Sequence, residues 1–167
     1  MVLMIIGLLF GGIVKGQELI NGARTRNLGQ DFHAVKIALY SYQDRYKSLP
    51  GDHQAASSVD PRANVASTPS SMIGNGRIDG RWDSTLDSDE SRLFWQHVRL
   101  AGFLSGSLMP TDPDYSPKTQ FGTTLGISST MQITGPTAMD GQHNICAKGI
   151  PGKFAKQLDL QVDDGNT

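Results

Sequence analysis

The chain has 167 residues, enough for one domain or for one domain with an appendage. Lysine and arginine number 15 against 16 aspartates and glutamates, so no specific nucleic-acid footprint is indicated. A single cysteine, Cys146, excludes an intrachain disulfide scaffold, and 19 glycines point to a loop-rich surface.

The run from Met1 to Val14 carries no charge, and Lys15 is the first group that is costly to bury. Roughly 20 apolar residues are needed to cross a bilayer, so this run is about one-third too short as it stands. It lacks a basic n-region and an A-x-A site, which sets it apart from a secretory signal. No proline follows until Pro50. Leu28, Phe32, Val35, Leu39, Tyr42 and Tyr46 recur at spacings of 4, 3, 4, 3 and 4, which is one face of a helix. Ile37 and Tyr40 lie off that stripe, and Lys36 and Gln43 stand on the polar side. A segment apolar all round thus continues into one apolar on a single face. The pattern predicts one helix about 70 Å long, whereas a head of about 120 residues is only some 30–40 Å across. Half the helix should therefore protrude, dividing the chain into a protruding helix at 1–27 and a head at 28–167. Two tyrosines and a phenylalanine suit a helix laid on a sheet better than a coiled-coil seam. Gly7, Gly11 and Gly12 suit close approach of neighbouring helices, or a stretch able to unwind.

Ser48 to Asp52 (SLPGD) ends the helix with two breakers. Ala55 to Ser71 has no periodicity and reads as an exposed loop, and GNGRIDG (Gly74 to Gly80) reads as a tight-turn cluster. Asp87 to Glu90 has the form of a capping box opening a helix through Leu93, Phe94, Val98 and Leu100, which stops near Gly102. Weak alternation at Leu125–Ile127, at Met131–Ile133 and around Ile145 predicts two or three short antiparallel strands. Ile150-Pro151-Gly152 leads to a last helix with Phe154, Ala155, Leu158 and Val162, closed by Asp163-Asp164-Gly165. The predicted fold class is α+β, a long N-terminal helix packed on a small antiparallel sheet.

The apolar run MVLMIIGLLFGGIV, the polar helix and YQDRYKSLPGD together resemble the N-terminal region of the type IV pilin superfamily, which includes the type II secretion pseudopilins. ESRLFWQHVRLAGFLSG and LDLQVDDGNT are similar to the heads of proteobacterial pilin-like proteins. The resemblance implies a leader removed by a prepilin peptidase and a methylated new N-terminus. Aligning the family's Ile-Ile-Gly with Ile5, Ile6 and Gly7 implies about seven further mature residues upstream, which would bring the apolar run to spanning length. The family's registering glutamate has no counterpart here, and Lys15 and Gly16 stand where many pilins have a proline. Implied are an assembly helix carrying Ile5, Ile6, Gly7, Leu8, Leu9, Phe10, Gly11, Gly12, Ile13 and Val14, and docking of the Leu28 to Tyr46 stripe on the head. Implied too are copies of the same chain and an assembly machinery as partners. The subunit would reside in the bacterial inner membrane before joining an extracellular pilus or a periplasmic pseudopilus.

No G-x-S-x-G, H-E-x-x-H, P-loop or G-x-G-x-x-G motif occurs, and His33, His53, His97 and His143 have no zinc spacing. No enzyme is expected. His143 and Cys146 are near in sequence, but a cysteine in a strand ordinarily just packs. No cofactor is expected beyond calcium, which needs clustered oxygen ligands. Two sets of residues offer them, Asn75, Asp79 and Asp83 or Asp159, Asp163 and Asp164. Pseudopilins often bind calcium in the head, so the resemblance points the same way. The competing reading is a membrane-tethered binding module or hydrolase for which the same helix is an inert anchor.

Overall fold

The computed structural model describes residues 2–68, 72–129 and 142–162. Helix α1 spans Val2–Tyr46 without interruption, as a proline-free segment permits. Lys47 ends it in the left-handed region, at φ 55°, with its N–H donated back to the Gln43 carbonyl at 2.9 Å. A short α2, Ala56–Val59, and then α3, Glu90–Leu100, lead to strands β1, Leu125–Ser128, and β2, Asn144–Ala147, and finally α4, Gly152–Val162. The two strands are antiparallel, with Leu125 opposite Ala147 and Ser128 opposite Asn144. The architecture is therefore mixed, a long N-terminal helix with shorter helices and a two-stranded antiparallel sheet. The further strand expected at Met131–Ile133 lies outside the described residues.

One core joins these elements. Val35, Ala38, Leu39 and Tyr42 of α1 meet Phe94, Trp95 and Val98 of α3, and Leu125 and Ile127 of β1. Along α1, the closest neighbouring elements are α4 and α3. α4 covers the upstream part of the docked face, where Gln157 lies 3.1 Å from the Thr25 hydroxyl and Leu158 packs over Gly29. Gly126 in β1 has a steric reason: a Cβ there would land on the Trp82 carbonyl.

Two expectations need correction. The described part of the expected loop, Ala55 to Thr68, is not simply exposed, since Ala56, Ala63 and Ala66 are buried. Their small side chains let the backbone lie close to α3, where the Asn64 N–H donates to Gln96 Oε1 at 2.8 Å. Nor is there a capping box at α3. Asp89, with extended backbone, is the N-cap, and its side chain makes no cap bond. Its carboxylate instead accepts the hydroxyls of Thr68 and Ser84, while Glu90 turns inward to the Asp79 N–H at 2.7 Å. Long-range partners outcompete the local cap.

Candidate functional site

The docked stripe of α1 stands where the 3.6-residue period puts it. Leu28, Val35, Leu39 and Tyr42 are each at most 3% exposed, whereas Ile37 and Tyr40, off the stripe, are 52% and 53% exposed. Lys36 and Gln43 face outward. Phe32 and Tyr46 are only partly buried. Phe32 lines an open groove of about 610 Å³ with Arg26, His33, Lys36 and Ile145, so its ring has core on one side and solvent on the other. The docking expected of the whole stripe is therefore only partial at Phe32 and Tyr46.

Upstream, α1 changes surroundings. Among the described side chains, none before Thr25 is fully buried. Ile13, Leu19 and Ile20 are 58%, 68% and 56% exposed, and Lys15 pairs with Glu18 across one turn at 2.7 Å. An exposed pair of this kind contributes little to stability. The side chains of Ile5, Ile6, Gly7, Leu8, Leu9, Phe10, Gly11, Gly12 and Val14 lie outside those described. No helix among the described residues is long and apolar enough to cross a membrane.

The turn after α1 is held by polar groups of the head. His97 is buried, accepting the Gly51 N–H at Nδ1, 2.9 Å, with Nε2 2.7 Å from the Asn64 carbonyl. These contacts fix the neutral tautomer with the proton on Nε2, and burial holds the imidazole down at about 4. His53 Nδ1 lies 2.8 Å from the Tyr42 hydroxyl, whose own ionisation is pushed up by burial. Asp52 accepts the N–H groups of Gly74 and Gly76 and so ties this turn to the glycine cluster. Gly51 is at φ 92°, and a Cβ there would land on the Glu90 carbonyl, so only glycine fits. Beside this turn is a cavity of about 670 Å³ lined by Gln43, Lys47, Asp52, His53, Arg77 and His143, among others. Its walls are chiefly polar.

The remaining sequence-predicted groups are dispersed. Asn75 donates its amide to Asp79 at 2.8 Å, and Asp83 pairs with Arg81 at 3.0 Å. Asp159 lies on α4, while Asp163 and Asp164 lie outside the described residues. Among the described residues, no group of three or more His, Cys, Asp or Glu is placed to hold a metal ion. His143 Nδ1 lies 2.8 Å from the Ser129 hydroxyl, and Cys146 Sγ lies 4.0 Å from the Asn144 carbonyl. Thiol and imidazole thus have separate partners, and burial pushes the thiol pKa up, away from a reactive thiolate. The sequence reading missed His97 and Asn64 as a polar clamp on Gly51, and the inward turn of Glu90 to Asp79. The only signals available were an acid at a helix start and a histidine among apolar neighbours.

No protein-family model matches the chain, and neither does any curated protein or solved structure.

Proposed function

We propose that this chain is a structural subunit of a helical filament of the type IV pilus kind, polymerising through the upstream half of α1. The observation that carries the reading is the mismatch between α1 and its head. At 45 residues the helix is roughly 68 Å long, yet full burial among its described side chains begins only at Thr25. Ile13, Leu19 and Ile20 leave apolar surface on the upstream half that its own head does not cover. Repeated side by side, such helices bury that surface against copies of themselves, and burying about 800 Å² of it is worth roughly 20 kcal/mol gross. Ordering costs offset much of that. A pilin-like head, an inner-membrane stage and an assembly machinery belong to the same proposal and draw on the sequence resemblance. A polymer subunit of this kind is not an enzyme and needs no catalytic centre.

The secretion pseudopilus is the nearest variant, differing in where the filament stops. A membrane-tethered binding module is the second reading, favoured by the polar cavity beside the turn after α1. Glycines separate the two, because an inert anchor tolerates any apolar residue whereas packed helices do not. Replacing Gly11 and Gly12 by leucine should abolish filaments seen by electron microscopy in the source cells while leaving head folding unchanged. Unaltered filaments would remove the packing role, and a wild-type chain found only as single membrane-bound subunits would favour the tethered module.

A further inference from the structure

Four carboxyl groups are buried where α3 begins: Asp52, Asp79, Asp89 and Glu90, with Glu90 wholly inaccessible. Three have donors. Asp89 takes the Thr68 and Ser84 hydroxyls, Asp79 takes the Asn75 amide with Arg77 Nε 3.8 Å away, and Asp52 takes the N–H groups of Gly74 and Gly76. Glu90 is different. Its Oε2 accepts the Asp79 N–H, but Oε1 is buried with no donor among the described residues. The side chain that Glu90 contacts is the Asp52 carboxyl. Two carboxylates cannot face each other in a buried site with both ionised, because desolvation and like charge both favour neutralising one of them.

We propose that Glu90 holds a proton in the folded state and donates it from its buried oxygen to Asp52, a latch that fastens the turn after α1 to the start of α3. The proton comes from solvent and returns to it, and no other species is consumed. With it, the Glu90 carboxyl donates to Asp52 and the unpartnered oxygen is accounted for. Without it, two negative charges confront each other beneath a turn whose tight approach to Glu90 already excludes any side chain at Gly51. The charged groups facing Glu90 are Asp52 from the turn and Asp79 from the glycine cluster, with Asp89 preceding it in the chain and Arg77 engaged beside Asp79. His97 and His53, which hold the same turn, are kept neutral by burial and supply no compensating cation near neutrality. Burial first, then the charges of Asp52 and Asp79, push the Glu90 carboxyl up to about 8. Its folded value lies above its unfolded one, so the folded state holds the extra proton and stability falls as pH rises towards 8.

The test is reversible unfolding of the full chain and of Glu90→Gln between pH 6.5 and 8, where the difference between the two slopes isolates Glu90 from the histidines. The wild-type folding constant should fall, by up to about tenfold per pH unit. Glu90→Gln supplies a permanent donor in place of the proton, so it should lose this slope and match or exceed wild type at pH 8. An unchanged slope in the variant would overturn the latch. So would a rise in wild-type stability at pH 8 with millimolar calcium chloride that Glu90→Gln abolishes, which would make the pair a cation site instead. Should the variant fail to fold, carbon-13 NMR of the wild-type carboxyls decides. Glu90 protonated at pH 6 and ionising near 8 supports the latch, and an ionised Glu90 at pH 6 overturns it.

Discussion

Leu28 and Phe32 are four residues apart on one helical face, yet their surroundings differ. Leu28 is fully enclosed, in the stretch of α1 that α4 covers, whereas the Phe32 ring borders an open groove. Replacing Leu28 by alanine should cost about 3 kcal/mol, since truncating an enclosed leucine leaves a cavity. Phe32→Ala should cost roughly half of the 3–5 kcal/mol typical of an enclosed phenylalanine, because solvent already reaches one side of the ring. Urea unfolding of the two variants checks the order, and a larger loss for Phe32 would contradict the groove. Ile37 and Tyr40 belong to the other class of apolar residue. They are exposed on the same helix, and substitution there should change stability by no more than about 0.5 kcal/mol.

At the scale of elements, α1 is two helices in one. From Thr25 onward it is an element of the head, sealed by α4 through Gln157 and Leu158 and by α3 through the Phe94, Trp95 and Val98 cluster. Among its described upstream side chains are exposed apolar ones and the weak Lys15–Glu18 ion pair. Removing residues 1–17 should therefore leave the docked stripe and its core intact. The expected product is a soluble monomer that unfolds cooperatively and forms no filaments, as light scattering and thermal unfolding would show. An aggregated or molten product would mean that the upstream segment belongs to the fold. The stripe itself is legible in the sequence because a helix repeats every 3.6 residues whatever it packs on. Which partner it packs on is not legible, since α4 and α3 reach α1 only through the fold.

For the whole molecule, buried neutral histidines set the acid limit of stability. His97 ionises at about 4 when folded against an ordinary value of 6.5, so the unfolded chain binds the proton first. The His97 contribution is thus complete above pH 6.5 and is lost as pH falls towards 4, by up to roughly 3 kcal/mol. His53 and His143, also depressed by burial, act in the same direction. Acid titration by circular dichroism should show this decline, and His97→Gln should flatten part of it. A variant as acid-sensitive as wild type would place the cause elsewhere.

Local patterning was enough to specify the long helix, the period of its docked face, the existence and stop of α3, the two described strands and the C-terminal helix. Each follows from periodicity or from a breaker such as Leu49-Pro50-Gly51, and such signals need no knowledge of distant residues. It took the folded arrangement to bring Asp52, Glu90, His97 and Asn64 together around one turn, to set Phe32 beside a groove, and to bury Ala56, Ala63 and Ala66. It also moved Glu90 from a capping role to the interior. An acid at a helix start has a local partner within reach, and whether it takes that partner depends on donors far away in the chain. Asp79 offers one, eleven residues upstream, and the fold brings it to 2.7 Å.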